Sequence, residues 1–235
     1  MRVLELWRYP VKSLQGELVA SVSLGAEGFA GDRRYAIFDT ATGFGLTGRR
    51  VPDLLFGSAR YTASGELEIV LPDGTVARDD DALSEWLGRP VALRSTDEAV
   101  SRRYESPGDF ENDAEWDPFE GATGSFRDTE ATVVSLVSEG TLRGWDRRRF
   151  RPNILLSDSG EDDLVGRRAA LGGAVVDIVK QVGRCVMVTR QQPGGVDKDL
   201  DVLRTIHRER GGKLAIGAGV AVEGSVSVGD ELVAL

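Results

Sequence analysis

One cysteine, one histidine and a run of arginines are the residues here whose types and spacing could do chemistry. Cys185 stands in Val182-Gly183-Arg184-Cys185-Val186-Met187-Val188-Thr189. A cysteine within an apolar strand is ordinarily a small buried hydrophobe. The guanidinium of Arg184 beside it instead favours the thiolate, the form that ligates metals. Spacing alone does not choose between the two. A single Cys excludes an internal disulfide and every all-cysteine metal site, iron–sulfur clusters and zinc ribbons included. A single His likewise excludes zinc sites of several imidazoles. His207 falls between Arg204 and Arg208 at helical spacing, which favours a helix surface over a catalytic base. With no G-x-S-x-G segment, Ser–His hydrolysis has no support. The run Arg147-Arg148-Arg149-Phe150-Arg151 precedes Pro152-Asn153. It is either a solvated loop or a seat for phosphate or another bidentate anion. There is no P-loop, and no G-x-G-x-x-G joins a strand to a helix.

Those residues need a framework. The 235 residues suffice for one large domain or two small ones. With 41% apolar and 29% charged residues, the composition is that of a globular chain. The net charge of −9 argues against nonspecific nucleic-acid binding, which needs a broad positive surface, but not against a small anion in a local basic pocket. No apolar run approaches the ~20 residues that span a bilayer. The N-terminal MRVLELWRYPVKS lacks the apolar region of a signal peptide. The expectation is a cytoplasmic protein with no nucleic-acid or membrane partner. The 29 glycines exceed the usual ~7% and follow no period, which suggests many short strands and turns.

The first hundred residues read mostly as strands: Val3 to Trp7, Arg34 to Phe38 with Phe44 to Thr47 as hairpin partner, and Leu67 to Leu71 turning through Pro72-Asp73-Gly74 into Thr75 to Ala77. Asp79-Asp80-Asp81 opens a short helix through Leu87, with Gly88 at its exit. Residues 97–128 are acidic and without periodicity and read as a long loop or interdomain connection. Ala131 to Val137 is a strand, and Ser138 is the N-cap of a helix to about Trp145. Ile154 to Leu156, Ala174 to Val179 and Arg184 to Thr189 read as strands. Asp199 to Arg210 has helical spacing and ends at Gly211-Gly212. Two short strands close the chain, around Val222-Glu223-Gly224 and Val226 to Val233. Without regular strand–helix alternation, the fold class is mainly β with inserted helices (α+β), antiparallel and barrel-like.

Together, separated fragments carry a resemblance: Tyr9-Pro10-Val11-Lys12-Ser13, Gly31-Asp32-Arg33-Arg34-Tyr35, Arg149-Phe150-Arg151-Pro152-Asn153-Ile154, Arg184-Cys185 with Thr189, and the closing Gly224 to Gly229-Asp230. The sequence resembles the MOSC superfamily, the C-terminal domain of molybdenum cofactor sulfurases, in its two-part form with an N-terminal β-barrel. It is similar to the amidoxime reducing component type. The resemblance implies two β-barrel-like units, 1–105 and 106–235, meeting near 97–128 with the cofactor between them.

It further implies a molybdenum cofactor (Mo-molybdopterin), with Cys185 as the catalytic thiolate ligand to molybdenum. Lys12, Ser13, Arg33, Arg151 and Asn153 match the family's cofactor contacts, Arg184 flanks the ligand, and Ser138 matches a helix start near the cofactor. The implied function is reduction of small N-hydroxylated substrates at the N–O bond, with electrons from a separate donor protein. The alternatives are a cofactor carrier or sulfur-transfer protein using Cys185, and a silent cofactor-binding protein. Relatives commonly read T-x-x-D-P-x-T-G after the Cys. Here the segment reads Thr189-Arg190-Gln191-Gln192-Pro193-Gly194-Gly195, with Gln192 for the Asp and glycine for the Thr, in a stretch expected to border the metal.

Overall fold

The computed structural model describes residues 1–98, 100–109, 111 and 115–235. Strands occupy 40% of the chain and helices 17%, which makes the fold mainly β with inserted helices, as expected. The N-terminal strands are β1 Val3–Arg8, β2 Glu17–Val19, β3 Ser21–Gly25, β4 Gly28–Phe29, β5 Tyr35–Asp39, β6 Ser58–Tyr61, β7 Leu67–Val70 and β8 Val76–Ala77. Helix α1 Asp80–Leu87 leads to β9 Val91–Ser95, β10 Arg103–Pro107, β11 Trp116–Glu120 and β12 Val134–Ser138. After α2 Glu139–Leu142 come β13 Ile154–Leu156, β14 Arg168–Leu171 and β15 Ala174–Gly183. Helix α3 Leu200–Arg210, then β16 Lys213–Val222, β17 Gly224–Ser227 and β18 Leu232–Ala234 complete the chain.

The main sheet has eight strands in the order β18-β14-β15-β16-β12-β13-β1-β2. Its pairs are antiparallel except β12–β13. The strand that opens the chain thus lies beside a strand formed some 150 residues later, with Leu6 opposite Ile154. Likewise β3 pairs with β17, Val22 opposite Val226. One core joins these strands, with Leu6, Leu24, Leu136, Leu156 and Ile216 all buried in it. A second core, around Leu14, Ile37, Leu54 and Leu83, fills the N-terminal half. A third lies under α3, where Val202, Leu203 and Ile206 face Phe150 and Val188.

Local signals place the helices. Asp79 caps α1, its carboxylate accepting from the Ala82 amide at 2.9 Å, and Gly88 exits in the left-handed conformation that favours a residue without Cβ. Asp199 caps α3 in the same way, and Gly211 ends it.

Several segments differ from their sequence reading. Within 97–128, β10 and β11 form an antiparallel hairpin, Arg103 opposite Glu120 through Pro107 opposite Trp116. Asp109, Glu115, Asp117 and Glu120 are exposed, while the ring of Tyr104 is fully buried against Phe38 and Phe119. Ala99, Phe110, Asn112, Asp113 and Ala114 of that segment lie outside the described residues. The stretch 184–189 is not a strand. β15 ends at Gly183, and Val186–Thr189 forms a 3-10 turn closed by the Thr189 hydroxyl donating to the Val186 carbonyl at 2.8 Å. The partner strand of β5 is β9, and Phe44 to Thr47 contributes a single bridge, Gly45 to Phe38. Helix α2 stops at Leu142 rather than Trp145, because Arg143 turns left-handed. Lys213 to Val222, unassigned from sequence, is a ten-residue strand.

Candidate functional site

Seven of the eight residues singled out from sequence converge on one cavity of about 360 Å³, a volume suited to a small-molecule ligand. Lys12 and Ser13 follow β1, Arg33 precedes β5, Arg151 and Asn153 precede β13, and Arg184 and Cys185 follow β15. Each stands where a strand begins or ends, so the sheet registers fix their positions.

The backbone at this cavity is strained. Among the described residues, six non-glycines have positive φ, and three of them are Ser13 (70°), Arg33 (51°) and Arg151 (52°). Such conformations cost about 1–3 kcal/mol each and persist only where neighbours over-determine them. Here the Arg33 amide donates to the Tyr9 carbonyl at 2.6 Å, and the Arg151 amide to the Arg147 carbonyl at 3.0 Å. The Ser13 hydroxyl accepts from the Gly48 amide at 3.0 Å. The Tyr9 ring lies under both guanidiniums, 4.9 Å from Arg33 and 4.4 Å from Arg151, and its hydroxyl donates to the Pro152 carbonyl at 3.1 Å. Burial pushes the Tyr9 phenol up to about 12 against the pull of these arginines, so it remains a neutral donor near neutral pH.

The cavity also collects residues that sequence reading missed: Thr47, Arg49, Arg127, Asp128 and Lys180. Arg49 Nε donates to Cys185 Sγ at 3.1 Å, and Arg49 Nη2 donates to Asp128 Oδ2. Lys12 Nζ donates to Asp128 Oδ1 at 2.5 Å and to the Phe126 carbonyl at 3.1 Å. Burial acts to raise the Asp128 carboxyl, but Lys12 and Arg49 outweigh it and hold the group well below the usual carboxylate range. Burial pulls Lys12 down, partly offset by Asp128. Arg49 spans 79 residues to reach Asp128, and no local pattern announces that pairing. Among the described residues, the lining holds seven cations and one carboxylate, within a chain of net charge −9.

The arginine run divides by role. Arg149 is buried and donates to the carbonyls of Val188, Arg190 and Asp197, tying down the segment after Cys185. Arg147 lies 3.8 Å over the Trp7 ring and pairs with Glu5, and Arg148 pairs with Asp146. Only Arg151 of the run's arginines lines the cavity. Ser138 does not line it either. Its hydroxyl accepts from the Thr141 amide at 3.1 Å and donates to the buried Glu161 carboxyl at 2.6 Å, so it caps α2 and anchors Glu161. His207 lies exposed on α3.

Residues 1–96 match the sequence model of the MOSC N-terminal beta barrel domain, and residues 129–233 that of the MOSC domain. The chain belongs to the MOSC family. MOSC domains are associated with proteins that bind the molybdenum cofactor. The cavity draws Lys12, Arg33 and Arg49 from the first matched region, Arg151 and Cys185 from the second, and Arg127 and Asp128 from the stretch between. No curated protein matches the chain. Among solved structures, it is similar to the YUAD protein from Bacillus subtilis, at 12% identity over 98% of this chain and 93% of that one, with a TM-score of 0.43. It is also similar to YiiM from Geobacillus stearothermophilus, at 19% identity over 59% of this chain and 74% of that one, with a TM-score of 0.37.

The segment that departs from the MOSC pattern does not border this cavity, contrary to expectation: the lining ends at Val188. Gln192 is buried, and its Oε1 accepts from Gln15 Nε2 at 2.9 Å. Gly194 has φ 72°, and a Cβ there would meet the Arg148 guanidinium at 2.7 Å.

Among the described residues, no helix is long and apolar enough to cross a membrane.

Proposed function

We propose that this chain is a molybdenum cofactor-dependent oxidoreductase that reduces N–O bonds of small N-hydroxylated substrates, with electrons from a separate protein. One observation carries the fit to the cofactor. Five buried polar atoms of the lining residues, Thr47 Oγ1, Arg49 Nη1, Arg127 Nε, Arg151 Nη1 and Arg184 Nη2, have no hydrogen-bond partner among the described residues. Buried donors without acceptors cost about 1–3 kcal/mol each, so this cluster is built for a polar, anionic ligand. The chain's only thiol stands in the same cavity. A phosphate-bearing pterin that leaves one soft coordination position open matches such a donor set.

In this reading Arg151, Arg33 and Lys12 neutralise the cofactor's phosphate, and Ser13 and Asn153 face its polar edges. Asn153 is held for this by Ser135, whose amide and hydroxyl both donate to Asn153 Oδ1 at 3.2 Å, and by its own donation to the Trp7 carbonyl at 3.2 Å. Cys185 supplies the protein's thiolate ligand. Arg184 is braced by the Leu214 and Phe150 carbonyls, at 2.7 and 3.0 Å, and keeps positive charge beside it. Burial lowers that guanidinium to about 10, which still leaves it charged at neutral pH. The bound cofactor supplies two-electron redox chemistry: the N–O bond breaks, and with two protons the oxygen leaves as water and the nitrogen as amine or amidine. Lys180, exposed beside the cavity, marks its solvent side. The two-part division at 105/106 belongs to this proposal, since both parts contribute to the cavity.

The test is protein from a cofactor-competent host, assayed for molybdenum, for pterin fluorescence and for turnover of an N-hydroxylated amidine with a chemical reductant. Wild type is expected to hold metal and turn over, and Cys185→Ser to fold normally with turnover abolished. Bound cofactor without turnover in wild type would favour a carrier, and equal turnover per molybdenum in Cys185→Ser would remove Cys185 as a ligand.

A further inference from the structure

We infer that Arg49 is the positioning residue for Cys185, holding its sulfur through an N–H···S bond while Asp128 holds Arg49. The inference rests on the reading of Cys185 as a metal ligand and adds what orients that ligand. Little else does. Cys185 stands two residues beyond the end of β15 and caps a short 3-10 turn, and it is half-buried. A cysteine side chain has one torsion, so its sulfur goes where a partner draws it.

Arg49 is itself secured from several directions. Its Nε lies 3.1 Å from Cys185 Sγ, and its Nη2 donates to Asp128 Oδ2. The other oxygen of Asp128 accepts from Lys12 at 2.5 Å. The Arg49 carbonyl accepts from Arg190 Nη2 at 2.9 Å, and the guanidinium lies 5.2 Å from the Phe119 ring centroid. Nε and Nη2 share one edge of the planar guanidinium, so a single rigid group holds sulfur and carboxylate side by side. A lysine ammonium has no such edge. Outer donors of this kind orient a ligand and draw density from its sulfur, which tunes the metal's potential. The chain therefore links Lys12, Asp128, Arg49 and Cys185 in one hydrogen-bonded line across both matched halves.

The test compares Arg49→Lys, Arg49→Ala and Asp128→Asn with wild type, using metal-loaded protein and unloaded protein. In loaded protein, the sulfur-to-molybdenum absorption band is expected to move to lower energy in Arg49→Lys and Arg49→Ala, and the midpoint potential to fall. Asp128→Asn should give a smaller shift of the same sign. Both Arg49 variants keeping the wild-type band and potential would overturn the inference. In unloaded protein, the crystal structure of Arg49→Lys is expected to show Cys185 Sγ moved away from its wild-type rotamer. Sγ unmoved there overturns the inference whatever the metal does, and this arm decides if the variants do not load. A wild-type band that survives Cys185→Ser would instead strike the ligand reading, and with it this inference.

Discussion

Arg151 combines a left-handed backbone, a buried side chain that lines the cavity and one nitrogen without a partner among the described residues. Its Nη2 donates to the Leu14 carbonyl at 2.6 Å, so it also braces the loop after Lys12 and Ser13. Arg151→Gln keeps length while removing charge. Losing one charge-assisted contact costs about 1.5–3 kcal/mol, or roughly 10- to 150-fold in cofactor affinity. Molybdenum per folded chain should fall accordingly, measured against the denaturation midpoint to separate binding from stability. Asp128 gives a pH-dependent counterpart. Its pKa is lowered on folding, so the stability it contributes is present above its unfolded value of about 4 and is lost as pH falls below that. The stability difference between wild type and Asp128→Asn, measured by urea unfolding, should therefore be constant from neutral pH to about 5 and shrink below about 4. A difference that grew on acidification would show that the carboxylate is not paired.

At the scale of elements, the junctions matter more than the elements. Strand β12 ends at Ser138, where cap, buried carboxyl and helix start meet: the Ser138 amide donates to Glu161 Oε1 at 3.1 Å and its hydroxyl to Oε2. Ser138→Ala removes the cap, about 1 kcal/mol, and leaves a buried oxygen short of a donor, about 1–3 kcal/mol more. The protein should unfold at lower denaturant while its molybdenum content per folded chain stays at the wild-type level. A fall in that content at full folding would return Ser138 to the site. The β10–β11 hairpin is a second such junction. It lies between the two matched regions, and its Tyr104 ring receives the Lys12 ammonium at 4.3 Å. The hairpin thereby supports a cavity residue from outside either family match.

For the whole molecule, the sheet crosses the sequence division. β1 and β2 complete the edge of the main sheet beyond β13, and β3 covers β17. A fragment of residues 106–235 would leave β13 as an open edge and expose Leu136, Ile154 and Leu156 of the shared core. That fragment alone is expected to aggregate or to show no cooperative unfolding transition, and co-expression with residues 1–105 should restore a soluble complex. A fragment that unfolds cooperatively by itself would show that β1 is dispensable. The same interleaving explains how cations from both halves meet despite an overall negative charge.

What the sequence determined by itself was local or a matter of inventory. The acidic opening of α1 at Asp79 to Asp81, the Pro72-Asp73-Gly74 turn and the spacing of α3 act over a few residues, so nearest-neighbour chemistry suffices to read them. One cysteine leaves one thiol, and the separated family motifs name seven residues that do share a cavity. Tertiary structure decided the rest, because the same residue type has different partners in different long-range surroundings. Arg149 and Arg151 are two positions apart, yet one grips three backbone carbonyls and the other lines the cavity. Ser138 has the polarity of a ligand contact, but Glu161, 23 residues away, takes its hydroxyl. Arg49 and Asp128 meet Cys185 only once the folded sheets bring three distant loops together, and loop closure over such distances leaves no periodic trace in the chain.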